Sequence, residues 1–366
     1  MAKKTTYAYT PDYVIPPGET LEETMQAHGM TQQELAERTD LTVQTLNRIF
    51  KGEQPISYET ATKLEYVTPY PASFWNNLEA QYRGQLAKQA EAESLSKNLC
   101  WLKTLPIKEL VERKTLPATA DKIVQLRESL KFFGVSSVEA WQNVWNAPAA
   151  AARRSTFFES NPGPTAAWLR LGQIEAGKIE CAPYDKKCFE SSLHAIRKLT
   201  TSDPEQFWPE MRSLCAKAGV ALTLVPAFKK APWSGAAEWL TPVKAMIQLC
   251  LRGKTEDKFW FTFFHEASHI LHDGKKESFL DSNGSDDYAH DPSEKRADEF
   301  AAQMLIAPEH NAGIATIQAS ADVYYWAEKL DISPGIVAGR YQYLTRKWNF
   351  FNDIKRRFQW VPDDAE

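Results

Sequence analysis

The chain has 366 residues, a length that predicts two or three domains rather than one. Hydrophobic residues make up 43% and charged residues 25% of the sequence, which excludes a disordered chain, a collagen-like repeat and a small disulfide scaffold. The formal net charge of -4 gives no sign of a polybasic surface.

The cysteine pattern and the lengths of the apolar segments indicate the cellular compartment of the protein. Five cysteines form no Cys-x-x-Cys pair, and their odd number favours reduced thiols over a disulfide framework or a cysteine-ligated zinc site. The segment MAKKTTYAYT at the start has no apolar run behind it, so it does not form a signal peptide. No apolar stretch approaches the ~18–20 residues that span a bilayer. We therefore expect a cytoplasmic protein with no membrane partner.

Residues 1–92 contain the signals of five short helices in quick succession. The segment TQQE from Thr31 is a capping box that begins the second helix. After a short turn, Thr42 caps a third helix, VQTLNRIF. Ser57 and Pro71 begin the fourth and fifth helices. The tight turn between the second and third helices predicts a helix-turn-helix bundle.

Residues 93–203 form a second region that also predicts helices. Apolar residues at helical spacing mark the segments 120–133, 138–144 and 164–176. No group of side chains with catalytic chemistry occurs here, so we expect this region to have a structural or regulatory role.

Residues 204–350 mix helices with strands, and residues 351–366 follow as a C-terminal tail. The predicted elements, in order, are a helix at 204–218, a strand from Val220, a loop to Gly235, a strand at Lys244–Leu251, an aromatic-rich helix from Thr255 to about His272, and a helix at Pro292–Ile306. We expect the strand Lys244–Leu251 to have an exposed edge, along which a substrate strand could pair. The whole chain is predicted to be mostly α and multidomain.

The segment His265-Glu266-Ala-Ser-His269 is an HExxH motif on the aromatic-rich helix. Residues four apart on a helix project in the same direction, with their Cβ atoms ~5–6 Å apart. Two imidazoles at that spacing can bind one zinc ion at ~2.0–2.1 Å. Glu266 lies beside them and can take a proton from water as a general base. The alternative is a pair of ordinary histidines on a buried helix.

A catalytic zinc site needs a third protein ligand and one open position. Glu294, 25 residues after His269 on a predicted helix, can be that ligand. It could instead cap the helix, because the segment DPSE from Asp291 also reads as a capping box. His272 and His290 are rival ligands. His272 suits packing better, since one helix cannot easily supply three ligands at tetrahedral angles.

Asp298 is a second carboxylate on the same predicted helix, one turn beyond Glu294. Both side chains therefore project toward the metal site. We expect Asp298 to stop short of the metal and to accept the remaining N–H of a ligand histidine, His265. Such a hydrogen bond fixes the tautomer of the imidazole and makes it a stronger ligand. The alternative is a solvated carboxylate on a polar helix face.

These residues resemble the ImmA/IrrE family of zinc peptidases. The resemblance rests on FHEASHILH, on the ExxADxFAA segment, on KAMIQLCLRG and on ISPGIVAGRYQY, and it covers roughly residues 204–345. It implies an α+β minimal peptidase domain with a thermolysin-like (gluzincin) core. In that core His265, His269 and Glu294 hold zinc, and Glu266 is the base. Members of the family cleave transcriptional repressors that carry helix-turn-helix domains.

The same resemblance bears on Tyr343 and Asp298. Many related chains have Gln-His where this sequence has Gln342 and Tyr343. If that position supplies the oxyanion donor, Tyr343 donates through its hydroxyl group. The family often has Asn where Asp298 stands, whereas thermolysin-like peptidases have Asp.

The segment TQQELAERTDLTVQTLNRIFKG resembles the Cro/XRE helix-turn-helix family and, more narrowly, HigA-like antitoxins. The resemblance implies that Gln32 meets a phosphate group of operator DNA. It also implies that four residues of the third helix face the major groove: Val43, Gln44, Thr45 and Arg48. Gln and Arg side chains can make bidentate contacts with adenine and guanine.

The charge of this region argues against a simple DNA-binding interpretation. Residues 1–75 carry ten acidic and six basic side chains, whereas a DNA-binding domain usually has a basic footprint. Pairing of two copies as a homodimer is one way to supply enough phosphate contacts. The alternative is that this fold docks another protein.

Together these features predict a zinc-dependent endopeptidase fused to a DNA-binding helix-turn-helix domain. Its expected substrate is a repressor or an antitoxin-like protein, whose cleavage would change transcription. In one alternative, the chain is a transcription regulator or antitoxin whose peptidase-like domain serves as a sensor or scaffold. In another, the chain cleaves itself at a break between the first two regions, around Ala87–Ser96.

Overall fold

The computed structural model describes these residues of the chain: 15–145, 162–229, 231, 233–275, 279–281 and 291–360. The chain forms two units, Met1–Asn98 and Leu99–Glu366. The second unit contains the predicted regions 204–350 and 351–366 and, except for residues 93–98, the predicted region 93–203. No helix in the described ranges has both the length and the apolar composition to cross a membrane.

In the described part of the first unit, five helices follow one another as predicted: α1 Pro17–Ala27, α2 Gln32–Thr39, α3 Val43–Phe50, α4 Tyr58–Val67 and α5 Ala72–Ser96. The predicted caps are formed. Thr31 Oγ1 accepts the N–H of Glu34 at 3.2 Å, and Thr42 Oγ1 accepts the N–H of Thr45 at 3.0 Å. Fully buried side chains close the bundle: Leu21, Leu35, Leu46, Leu64 and Trp75.

Helix α5 runs without a break from Ala72 to Ser96, which corrects the interruption predicted around Ala87–Ser96. The segment LAKQAEAESLS is rich in residues of high helix propensity and contains no Gly or Pro. The backbone groups of a helix are paired within the helix, so this stretch does not offer the extended strand that a peptidase would bind. The self-cleavage hypothesis therefore loses its predicted site.

Helices also form the first part of the second unit. They are a 3-10 helix Leu99–Thr104, α6 Ile107–Glu112, α7 Lys122–Phe133, α8 Val138–Trp145, α9 Pro162–Lys178, α10 Lys186–Lys198 and α11 Pro204–Lys217. The sequence predicts α7, α8, α9 and α11, with ends that differ by a residue or two. It misses α10, although Asp185 caps that helix by accepting the N–H of Cys188 at 2.7 Å.

The rest of the second unit mixes strands and helices. They are β1 Val220–Leu224, β2 Gly235–Thr241, β3 Lys244–Leu249, α12 Glu256–His272, β4 Phe279–Asp281, α13 Pro292–Leu305, α14 Asn311–Ala315, α15 Ser320–Leu330 and α16 Pro334–Thr345. The described strands form one sheet in the order β1-β3-β2-β4. Strand β3 pairs in parallel with β1 and in antiparallel with β2. Both edges of β3 are therefore occupied, and the prediction that a substrate strand pairs along Lys244–Leu251 is wrong.

Helix α12 is the central element of the second unit. It packs against the sheet and against α13 and α16. Trp260, Phe263 and Phe264 on α12 are fully buried in one core cluster with apolar residues of the sheet. A helix that is hydrophobic on nearly all sides is a core helix. Its polar residues are consequently buried as well, and the protein must provide partners for them.

Helix α13 is anchored at its C-terminal end by two arginines from other helices. Arg197 of α10 donates to the carbonyl groups of Met304 and Leu305 at 2.8 and 3.1 Å. Arg340 of α16 donates to two more carbonyl groups at this end, at 2.8 and 2.9 Å. The last carbonyl groups of a helix have no partner within it, so Arg197 satisfies those of Met304 and Leu305. The position of α13 is thereby fixed relative to the rest of the unit.

The residues that follow α16 pack against the start of α12 and do not form a separate tail. Arg356 donates from Nε to Glu256 Oε2 at 2.6 Å and from its backbone N–H to Oε1 at 3.0 Å. Glu256, the first residue of α12, is 0% exposed. Beside this pair, Lys355 Nζ lies 2.6 Å from Asp257 Oδ2. The predicted boundary at residue 350 therefore cuts through this packing, while residues 361–366 lie outside the described ranges.

We expect Arg356→Ala to lower the free energy of unfolding of the second unit by about 3–5 kcal/mol, because it leaves a buried carboxylate without its cation. Urea denaturation followed by tryptophan fluorescence measures this change. Arg357→Ala is the matched control, since Arg357 is exposed, and it should change the free energy by less than about 0.5 kcal/mol. Equal losses for the two variants would contradict the expectation.

Candidate functional site

Helix α12 holds His265, Glu266 and His269 inside the core, where they are 3%, 0% and 2% exposed. The two imidazole rings have centroids 4.9 Å apart, as the spacing of four residues predicts. At this depth each ring nitrogen must find its partner within the protein.

Glu294, in the first turn of α13, meets both histidines. His265 Nε2 lies 3.1 Å from Glu294 Oε2, and His269 Nε2 lies 3.6 Å from Glu294 Oε1. The two Nε2 atoms are 3.1 Å apart. Ligands at ~2.0–2.1 Å from a tetrahedral zinc ion lie roughly 3.3 Å from each other, so the observed spacing suits one zinc ion. Among the described residues, these three side chains form a group that could hold a metal ion.

Each histidine directs its other ring nitrogen at a carboxylate. His265 Nδ1 lies 2.9 Å from Asp298 Oδ1, and His269 Nδ1 lies 2.7 Å from Asp273 Oδ2. An ionised carboxylate only accepts hydrogen bonds, so both Nδ1 atoms donate and both Nε2 atoms present lone pairs. Two lone pairs and a carboxylate that face one point repel each other, and a shared cation relieves that repulsion. The donor set therefore fits a zinc ion.

Burial and hydrogen bonding shift two pKa values in this network. Burial lowers the pKa of His269 below its ordinary value, and the hydrogen bond to Asp273 offsets only part of that effect. Burial raises the pKa of Asp273, but hydrogen bonds from His269 and Ser293 and the charge of Arg296 together bring it below its usual value. Both shifts favour a neutral imidazole beside an ionised carboxylate, which is the state that metal binding requires.

Glu266 lies on the same helix as the two histidines and packs against the first residue of β2. A Cβ atom on Gly235 would collide with Glu266 Oε1 and would come within 2.6 Å of Thr262 Cγ2. A side chain at position 235 would therefore displace the glutamate. Glycine allows the sheet to approach α12 closely at this point.

Of the two rival ligands that the sequence offers, only His272 lies among the described residues, and it is not part of this group. His272 packs edge-on against Phe300, with ring centroids 5.4 Å apart, as expected for a packing residue. His290 lies outside the described residues. Asp291 caps α13 by accepting a backbone N–H at 2.9 Å, whereas Glu294 turns toward the histidines.

Tyr343, the predicted oxyanion donor, lies on α16. It is 55% exposed, and the guanidinium group of Arg346 lies over its ring at 5.0 Å. In the described part of the chain, no hydrogen bond joins Tyr343 to His265, His269 or Glu294. Its role in stabilising an oxyanion stays a prediction.

Asp273 is a residue of this site that is absent from the predictions, because the predicted aromatic-rich helix ends at about His272. Asp273 is the C-cap residue of α12, and its side chain is 7% exposed. Arg296 of α13 forms an ion pair with it. A signal was available in the sequence: Asp273 follows His269 by four residues, the spacing that brings two side chains together on a helix.

In the first unit, α3 exposes three polar side chains, Gln44, Asn47 and Arg48. Gln44 and Arg48 belong to the predicted DNA contacts, whereas Asn47 was missed. Gln32, at the start of α2, donates from Nε2 to Asn47 Oδ1 at 2.8 Å. This hydrogen bond joins the start of α2 to the exposed face of α3.

The other two predicted DNA contacts are engaged within the fold. Thr45 Oγ1 lies 2.9 Å from Thr42 Oγ1, next to the N-terminal cap of α3. Val43 is half-buried and packs against the core of the bundle. The structure thus separates two exposed candidates, Gln44 and Arg48, from two that also serve the fold.

Residues 21–75 match the helix-turn-helix family, over a segment that runs from within α1 to the first turn of α5. Residues 21–75 form a helix-turn-helix domain. A solved structure of the Pseudomonas aeruginosa antitoxin HigA with the higBA promoter is similar to part of this chain. It is 28% identical, the match covers 22% of this chain and 89% of that chain, and the TM-score is 0.21. No curated protein matches this chain.

We expect a graded loss of zinc affinity from two substitutions on α13. Asp298→Ala should weaken zinc binding ~10–100-fold, because it removes the hydrogen-bond partner of His265 but no ligand. Glu294→Ala should weaken it further, because it removes a ligand. Competition with a chelator measures both affinities, and Glu299→Ala, an exposed carboxylate on α13, is the control.

Two outcomes of this titration would change the assignment. Equal zinc affinity for Asp298→Ala and the wild type would make Asp298 an ordinary surface carboxylate. A loss as complete as that of Glu294→Ala would make Asp298 a metal ligand.

Proposed function

We propose that this chain is a DNA-binding transcription regulator whose second unit carries a zinc-dependent endopeptidase site. The observation that carries the peptidase proposal is the convergence of His265, His269 and Glu294, with Glu266 on the same helix. The helix-turn-helix domain over residues 21–75 supports the DNA-binding part. Such a protein would work in the cytoplasm, where the operator is.

In this proposal zinc binds to His265, His269 and Glu294. When bound, zinc supplies a Lewis acid that polarises the scissile carbonyl group and makes water a stronger acid. Glu266 accepts the proton of the attacking water and passes it to the leaving nitrogen. Asp298 holds His265 in the tautomer that presents Nε2. The surrounding aromatic core of α12 excludes bulk water, which strengthens these electrostatic interactions.

The substrate that we propose is another DNA-bound regulator, a helix-turn-helix repressor or an antitoxin-like protein. A peptidase joined to its own operator-binding domain is concentrated at the DNA site where such a repressor sits. Gln44, Asn47 and Arg48 form the exposed polar face of α3 that would enter the major groove. Two copies bound as a dimer would double the phosphate contacts of this acidic domain.

A second candidate function is regulation without cleavage, in which the metal centre is a sensor or a scaffold. The family match falls within the first unit and supports DNA binding, so a regulator does not require a peptidase. In that case zinc binding would change operator affinity, and no fragments would form. The two functions differ in one measurable product, a cleaved protein.

Glu266→Gln should keep one zinc per chain and lose cleavage by a factor of ~100–10,000, because an amide cannot accept the proton of water. The assay mixes the zinc-loaded chain with helix-turn-helix proteins encoded beside its gene, with and without operator DNA, and follows fragments by mass. Glu299→Gln is the control, since Glu299 is exposed on α13.

Three results of that assay would redirect the proposal. Undiminished cleavage by Glu266→Gln would remove Glu266 as the base. Zinc binding by the wild type without any fragments would favour the sensor or scaffold. A chain that never takes up zinc would remove the metal centre.

Arg48→Ala should weaken specific DNA binding by about 1–3 kcal/mol, because it removes a side chain expected to contact a base edge. An operator selected from random DNA, followed by fluorescence anisotropy at several salt concentrations, measures the loss. Lys88→Ala is the control, since Lys88 is exposed and lies outside the matched domain. Unchanged affinity for the combined Arg48→Ala and Gln44→Ala variant would favour a protein-docking role for this fold.

A further inference from the structure

Two carboxylates support the histidines of the candidate metal centre, and their surroundings differ. The side chain of Asp298 is 62% exposed, whereas that of Asp273 is 7% exposed. Asp273 uses Oδ2 to accept from His269 and pairs through Oδ1 with Arg296. An exposed carboxylate can exchange its partner for water, but Asp273 is held from two sides.

Asp273 occupies a position that disfavours an anion. It is the C-cap residue of α12, where the helix dipole presents its negative end. It is also nearly buried, and burial of a carboxylate is costly unless partners replace water. His269, Arg296 and Ser293 are those partners. A locally unfavourable charge that the surroundings compensate is typical of a functional position.

Arg296 comes from α13, two residues after Glu294. One helix therefore supplies both the carboxylate that faces Nε2 of His269 and the guanidinium group that holds the carboxylate at Nδ1. Arg296 also donates to Ser293 Oγ at 3.2 Å, within the first turn of α13. His269, Asp273 and Arg296 thus form a continuous bridge between α12 and α13.

We propose that Asp273 and Arg296 are positioning residues of the metal centre. Asp273 keeps the proton of His269 on Nδ1, so that Nε2 is the atom that faces the metal ion. Arg296 holds the Asp273 carboxylate in place through their ion pair, and it fastens α13 to α12 where Glu294 must meet His269. This assignment rests on the proposed zinc site, and it gives α13 a task beyond supplying Glu294.

The substitution Asp273→Asn distinguishes a positioning role of Asp273 from simple packing. The two side chains have nearly the same size, but an amide donates as well as accepts. An amide NH2 that faces His269 favours the tautomer with its proton on Nε2, and that tautomer cannot bind a metal ion through Nε2. Asp273→Asn also removes the charge that pairs with Arg296.

The test uses the full-length chain with its metal removed and cobalt(II) as the probe. Chelator competition gives the dissociation constant, and the visible absorption of cobalt reports its coordination. Asp273→Asn should bind cobalt ~10–100-fold more weakly than the wild type, with an altered spectrum. Arg296→Ala should also weaken binding. Arg296→Lys should recover part of the loss, since lysine keeps the charge but lacks the planar fork.

The experiment also includes a matched control variant and a variant that combines both substitutions. Lys295→Ala, an exposed neighbour of Arg296 on α13, should bind cobalt like the wild type. Because Arg296 acts through Asp273, the variant with both Asp273→Asn and Arg296→Ala should bind no more weakly than Asp273→Asn alone.

Three outcomes would overturn the assignment. Wild-type cobalt affinity and spectrum in Asp273→Asn would leave no positioning role for Asp273. A lower thermal midpoint of the metal-free variants, with cobalt affinity unchanged, would make the pair purely structural. Additive losses in the double variant would separate Arg296 from Asp273. A wild-type chain that binds no cobalt would instead refute the metal centre of the proposed function, and this inference with it.

Discussion

The second unit depends on the burial of ionisable side chains along a helix that is otherwise aromatic and aliphatic. Taking such a group out of water is costly unless a protein partner replaces the water. Helix α12 has partners at both ends: Arg356 reaches Glu256 at its start, and carboxylates reach the two imidazoles near its end. Two of the carboxylates at the histidines, Glu294 and Asp298, come from α13, whose last turn is held by Arg197 and Arg340.

The elements that the sequence predicts are those whose signals are local. Capping residues such as Thr31 and Thr42 lie within a few positions of the groups that they satisfy, so their pattern is visible in the sequence. Strand β2 has no such signal. Its residues GAAEWLT mix small, charged and aromatic side chains, and pairing with β3 makes them a strand. The C-terminal part of α5 has a polar surface without apolar periodicity. Periodicity therefore does not predict a helix there, although the residues have high helix propensity.

The candidate metal centre likewise contains residues that local spacing predicts and one residue that it does not. The spacings His265 to His269 and Glu294 to Asp298 are each one helical turn, so helical geometry alone brings each pair to one face. Asp273 was missed because the end of a helix is hard to locate from sequence, and a residue just past it looks like a loop. On α3, the sequence gives the order of the side chains but does not show which of them pack against the core, as Val43 does.

The contact between Glu256 and Arg356 also sets an order of events during synthesis. The two residues lie 100 positions apart, so at ~5–20 residues per second Arg356 is added roughly 5–20 s after Glu256. During that interval a ribosome-bound chain has no cation for this carboxylate, and burial of the start of α12 is disfavoured. A nascent chain that ends before residue 356 is therefore expected to hold the start of α12 less stably than the full-length chain.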